Sequence, residues 1–201
     1  MESVKIDLFK EPKRREIING KFYLMAGTSI EHGDIVNNLN FIFKGYLKGK
    51  KCRVYGEGIK VKFDKDSPEV LPDIKIVCDT NKIKRNHIEG APDLIIEVLS
   101  ESTENKDRGV KYELYEKHGV KEYWLVDADN KKIYVYLLNK DGRYSLDYTY
   151  KHYSEEEIAE IEADEDDENE EKKRINIKTI KTSIYGDDLI IDIADIFENV
   201  D

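Results

Sequence analysis

A mixed α/β sheet with helices on its faces is the fold class this sequence predicts. Three observations carry it. Short apolar, β-branched runs recur along the chain and are separated by turn residues. Two longer stretches carry apolar residues at helical spacing instead. The order is strand pair, helix, strands, helix, strands, which suits a mixed sheet covered by helices. At 201 residues the chain is long enough for one domain with a sizeable core.

The first unit, REIINGKFYLMAG, has two β-prone runs around Asn19-Gly20, a tight-hairpin signal. A helix is expected at about residues 31–48, with Ile35, Val36, Leu39, Ile42, Phe43, Tyr46 and Leu47 on one face. Three β-type runs follow, at 52–63, 70–78 and 93–100, the last two separated by a polar loop. A second helix is expected at about 106–118, stopped by Gly119. Strands at 122–127, 131–138 and 144–150 complete the body, with Asp129-Asn130 and Asp141-Gly142 as turns. An acidic insert at 154–171 comes next. The closing segment reads as a strand followed by a short helix near 192–199 that docks back, so that residues 1–201 form a single domain.

Composition narrows the function classes. No apolar stretch approaches the roughly 18 residues of a membrane span. The N-terminus lacks the apolar core of a signal peptide, and a cytoplasmic location is the expectation. Cys52 and Cys78 form no CxxC. They are expected to be small apolar strand residues rather than zinc ligands or a disulfide. The net charge of −10 is local: residues 154–171 hold twelve Asp/Glu and no Lys/Arg. The rest has 33 basic against 31 acidic residues, a net of +2. Nucleic-acid binding is therefore compatible with the body of the chain. Phosphate-cradling GxxxxGK[ST] and GxGxxG motifs, the GxSxG elbow and HExxH are all missing.

Four residues stand out chemically. Glu97 lies inside LIIEVL, a run apolar enough to be buried on both faces. A carboxylate there loses several kcal/mol of hydration unless a cation or donors compensate. It is either a metal or catalytic ligand, or half of a buried ion pair. Asp73 follows Pro72 at the start of another β run, where a solvated strand end is the simpler alternative. Lys111 falls within the apolar arc of the second helix, between Leu114 and Tyr115. It either snorkels to the surface or points at a carboxylate site. His32 opens the first helix in line with Val36, Leu39 and Phe43, a place for a satisfied core or capping histidine as well as a functional one.

Taken together, EIINGKFYLMA, His32, LPDIKIVC, EGAPDLIIEVLS, DRGVKYELY and GVKEYWLVD make residues 14–150 resemble the Uma-type restriction endonucleases of the PD-(D/E)xK nuclease superfamily. The resemblance implies a restriction-endonuclease-like fold, a central mixed sheet between helices. It implies that Asp73 matches the Asp of the PD element and Glu97 the acidic residue of (D/E)xK. The orthodox lysine position is Leu99, and the resemblance moves that role to Lys111, with Lys75 as rival on the face of Asp73. His32 matches the histidine of the first helix.

The resulting expectation is a Mg²⁺-dependent endonuclease hydrolysing DNA, with Mn²⁺ as a substitute. Asp73, Glu97 and the Val98 carbonyl would supply oxygen ligands, as a hard cation prefers. Lys111 would orient water and offset developing charge, and His32 would contact a phosphate or a bound water. DNA is the expected partner, and a homodimer is compatible with the resemblance. The alternative is a non-catalytic DNA-binding or interaction protein on a nuclease scaffold, suggested by Leu99 and the acidic total. The insert is expected to be a solvated loop or a competitor of DNA for the site.

Overall fold

The computed structural model describes residues 15–18, 21–24, 28–164 and 169–200. Strands β1 (Arg15–Ile18) and β2 (Lys21–Leu24) pair antiparallel. The expected Asn19-Gly20 turn lies outside the described residues. Helix α1 (Ile30–Tyr46) begins at Ser29, whose Oγ accepts the His32 N–H at 3.2 Å. It buries Ile35, Val36, Leu39 and Phe43, the face the periodicity predicts.

Strands β3 (Arg53–Tyr55), β4 (Lys60–Lys62), β5 (Glu69–Val70), β6 (Ile74–Val77), β7 (His87–Glu89) and β8 (Leu94–Val98) follow. The runs at 52–63 and 70–78 were each expected as one strand, and each is two. Gly58, at φ +82, turns the first after β3. Pro72 has no N–H to extend the second, so the chain breaks between β5 and β6. The loop after β6 contains β7, which pairs parallel with β4 in a small sheet ordered β5-β4-β7. One continuous helical stretch then runs through α2 (Glu104–Lys106), a π-helical turn (Asp107–Lys111) and α3 (Tyr112–Lys117).

Strands β9 (Glu122–Asp127), β10 (Lys132–Leu138) and β11 (Tyr144–Lys151) complete the main sheet, ordered β11-β10-β9-β8-β6-β3. Only β8 and β9 run parallel within it. Their link must cross over the sheet, and the helical stretch 104–117 makes that crossing. Alternation divides the sheet residues between two cores. Ile74, Ile76, Leu94, Ile96, Val98, Trp124 and Val126 face α1 and the C-terminal segment. Val77, Ile95, Leu99, Tyr123 and Leu125 face the crossover helix and the small sheet. Glu97 and Lys75 fall on the same face as the second set, so they point under the crossover helix.

The insert forms α4 (Glu155–Ala163) and α5 (Glu170–Arg174), with residues 165–168 outside the described residues. Lys151 Nζ reaches Glu157 Oε1 at 2.6 Å, and the Tyr153 hydroxyl donates to Glu171. These contacts hold the described part of the insert beside β11, the sheet edge farthest from β3. The closing segment has a strand more than expected: β12 (Thr179–Lys181) pairs with β13 (Ile190–Asp192) before α6 (Ile193–Ile196). Asn38 on α1 donates to the carbonyls of Ile196 and Glu198, and Ile191, Ile193 and Ile196 enter the α1-side core.

The cysteines correct the sequence reading. Cys52 and Cys78 form a disulfide across 26 residues of chain. The physical reason is register: Arg53 pairs with Val77, so the next position outward sets Cys52 opposite Cys78. Constraining a loop of that length in the unfolded chain is worth about 2–4 kcal/mol. Urea unfolding with and without dithiothreitol should show a loss of that order, and the Cys52→Ser chain should not respond to the reductant. Equal midpoints for the reduced and oxidised chain would show that the bond contributes nothing.

Candidate active site

The β6–β8 ladder ends at the pair Ile74–Ile96, which makes Asp73 and Glu97 the next positions on adjacent strands. With the ladder stopped at Pro72, the Asp73 carboxylate takes its place: Oδ2 accepts the Val98 N–H at 2.8 Å. His32 Nε2 lies 3.3 Å from the same oxygen. Burial pushes the Asp73 carboxyl up. The hydrogen bond and charge of His32, the charge of Lys111 and the Val98 N–H outweigh it and hold the group below the usual carboxylate range. For His32 burial pulls down, while Asp73 first, then Glu57 and Asp107, raise the imidazole above its ordinary value.

Glu97 is 1% exposed, and its Oε1 accepts from Lys111 Nζ at 2.8 Å and from the Tyr115 hydroxyl at 2.6 Å. Both donors come from the crossover helix. Lys111 Nζ also lies 3.0 Å from Asp107 Oδ1, one helical turn earlier. The Asp107 carboxyl is raised, because its burial outweighs the nearby Lys111 charge. The π-helical turn spans Asp107–Lys111, so the irregular backbone falls on the segment carrying this pair.

Lys75 is fully buried and donates to the Pro72 carbonyl at 2.7 Å. Burial lowers its pKa to about 8, against the raising effects of Glu97 and Asp73. In the unfolded chain the same lysine titrates near 10.4. Between those values the unfolded state binds more protons, so stability rises with pH across the window and is lost as pH falls through about 8. The slope is at most about 1.4 kcal/mol per pH unit. Urea melts from pH 7.5 to 10 should show this slope in the native chain and lose it in Lys75→Met. A slope common to both would assign it to other groups.

Thus the structure brings His32, Asp73, Glu97, Lys75 and Lys111 into one cluster, with the Val98 backbone beside it. Leu99, two residues after Glu97, is a buried core side chain. Sequence reasoning missed three members. Glu57 lies just past β3 between Gly56 and Gly58, and its Oε1 is 4.0 Å from His32 Nδ1. A Cβ at Gly56 would stand 2.9 Å from the Asn40 amide nitrogen, so the Asn40 side chain would have to shift. Asp107 had a legible signal, the i,i+4 spacing to Lys111. Tyr115 had none, because its hydroxyl is invisible in an apolar pattern.

His32, Glu57 and Asp73 each offer a ligand atom, and the three atoms lie within 4.8 Å of one another. His32 Nδ1 is buried with no hydrogen-bond partner among the described residues. A donor set of two carboxylates and an imidazole, with an orphaned buried nitrogen, fits a divalent cation.

A family model described as "Putative restriction endonuclease" matches residues 2–164. The chain belongs to the Uma2 family. This Uma2 chain is 31% identical over 134 residues to the uncharacterised protein slr1290 of Synechocystis sp., which covers 66% of the chain and 70% of that relative. A crystal structure of "a putative nuclease belonging to DUF820" from Anabaena variabilis superposes with a TM-score of 0.65 at 18% identity, covering 94% of this chain and 93% of the other. That likeness shows the shared restriction-endonuclease-like fold, and the family supports a nuclease-type function. No helix among the described residues is long and apolar enough to cross a membrane.

Proposed function

We propose that this Uma2 chain is a metal-dependent endonuclease that hydrolyses DNA phosphodiester bonds. The observation that carries the reading is the strand register, which continues past Ile74–Ile96 to set Asp73 and Glu97 on adjacent strands, with the buried Lys111 paired to Glu97. A structural α/β domain has no need of buried charge at the end of an apolar ladder, and such groups concentrate at functional sites.

Asp73 belongs to two overlapping donor sets. One is Asp73, Glu97 and the Val98 carbonyl, from strand register. The other is His32, Glu57 and Asp73, from proximity. Mg²⁺ suits the oxygen atoms of both sets, and the imidazole of the second extends the choice to Mn²⁺. When bound, the cation supplies charge neutralisation at a phosphate oxygen and makes a nearby water more acidic. The protein supplies position. Asp73 is fixed by the Val98 N–H, and Glu97 by Lys111 and Tyr115. Lys111 would place positive charge where negative charge develops on the phosphoryl group, and His32, 3.3 Å from Asp73, would offer a proton to the phosphate or a bound water.

Incubation of supercoiled plasmid with the purified chain tests the function. Nicking that requires Mg²⁺ or Mn²⁺ and stops with EDTA is the expected result; no cleavage with either ion rejects it. Titration of Mn²⁺ into Glu57→Gln and Glu97→Gln decides between the donor sets, since the true ligand's variant should lose about tenfold or more in affinity. The second reading, a DNA binder without catalysis, is favoured by Leu99 in the lysine position. It would shift DNA mobility and leave the plasmid intact.

A further inference from the structure

An open cleft of about 610 Å³ lies between the C-terminal end of α1 and β3. Lys44, Lys48, Lys50 and Arg53 line it, with the half-buried Tyr55. Lys51 lies next to them in sequence, and residues 44–56 contain no Asp or Glu. All five cations are exposed, and none makes an ion pair among the described residues. Lys50 Nζ instead sits 3.1 Å from the centre of the Tyr46 ring. Elsewhere many exposed lysines are answered by carboxylates, as Lys60 is by Glu69 and Lys173 by Glu170. Four unanswered cations around one concavity, with Lys51 beside them in sequence, on a chain of net charge −10, call for an anionic occupant.

The cleft is joined to the candidate active site by two rigid elements. Helix α1 carries His32 at one end and ends beside Lys48 at the other, roughly 24 Å along the axis at 1.5 Å per residue. Strand β3 carries Arg53 and leads directly to Glu57, and it forms an edge of the main sheet. Cations spaced along such a line match an anion that repeats. At about 3.4 Å of duplex per phosphate on one strand, 24 Å is about seven base pairs.

We propose that this cleft grips the phosphate backbone of DNA within about seven base pairs of the bond to be cut, Lys48 marking the far end and Arg53 the near one. The inference rests on the nuclease reading and adds a second contact zone to it. Backbone contacts of this kind set the register of the duplex without reading sequence.

The test measures binding of a fluorescent 20-base-pair duplex in EDTA, where no cleavage occurs, across a range of salt concentrations. Each phosphate contact contributes about 0.9 to the slope of log K against log salt. The full chain carrying Lys48→Ala, Lys50→Ala and Arg53→Ala should bind at least about tenfold more weakly at low salt, with a slope smaller by about 2–3. A control with Lys65→Ala and Lys140→Ala, exposed lysines outside the cleft, should match the native chain. Thermal melts establish that both variants fold. Equal affinity and slope in the native chain and the triple variant overturn the inference. So does self-association abolished by the triple substitution with DNA binding intact, since the occupant is then the acidic edge of a second copy. Cleavage separates this inference from the reading beneath it. DNA gripped through the cleft but never cut with Mg²⁺ or Mn²⁺ rejects the nuclease and keeps the cleft. DNA cut by the triple variant with unchanged affinity and KM keeps the nuclease and rejects the cleft.

Discussion

Asp73→Asn should lower Mg²⁺-dependent cleavage by about 10²–10³-fold or more while the chain stays folded. The size follows from what the carboxylate does. A cation held at the reacting phosphate is worth several kcal/mol, and each 1.36 kcal/mol is tenfold in rate. Asparagine keeps an oxygen able to accept the Val98 N–H, so the strand junction survives. It removes the charge that does most to raise His32, so the imidazole should titrate lower by NMR. Single-turnover cleavage, Mn²⁺ affinity and a thermal melt on the same sample check the three effects. Cleavage at the native rate would reject Asp73 as the shared ligand, whatever the melt shows.

Lys111→Ala should be damaging in a different way. It removes the ammonium that lies 2.8 Å from Glu97 and 3.0 Å from Asp107, carboxylates that are both nearly fully buried. Breaking a buried pair by deleting one partner costs roughly 3–5 kcal/mol, because the other charge stays behind. Urea unfolding should register that loss together with the loss of cleavage. Lys111→Met keeps the bulk of the side chain and isolates the role of the ammonium. Lys75→Met is the necessary comparison, since its neutral form is already accessible near pH 8. If cleavage survives in Lys111→Met and disappears only in Lys75→Met, the lysine function belongs to β6, and Lys111 is an ion-pair partner alone.

The parts of the fold legible in the sequence are those with strong periodicity. Strand β9 falls on the expected residues, and α1 buries the expected face. The run at 52–63 misled because alternation resumes, one residue out of phase, after Gly56-Glu57-Gly58, and the run at 70–78 because its alternation continues through Leu71-Pro72-Asp73. Backbone geometry rather than polarity breaks the strands there. The anomaly of Glu97 was readable because an apolar strand makes a carboxylate conspicuous. Glu57 escaped because a glutamate in an exposed turn is ordinary, and only the docking of β3 beside β6 brings it to His32. The disulfide escaped for the same reason: cysteines 26 residues apart become neighbours through a register that sequence spacing does not encode.

In the orthodox arrangement an acidic residue and its lysine stand two positions apart on one strand, so their separation is a local property of extended backbone. Here the ammonium beside Glu97 arrives from the crossover helix, and the distance between them depends on how that helix seats on the sheet through Leu114 and Tyr115. On the nuclease reading, repacking beneath the helix is therefore expected to change turnover. Protein engineers could slow or sharpen this chemistry by editing hydrocarbon alone.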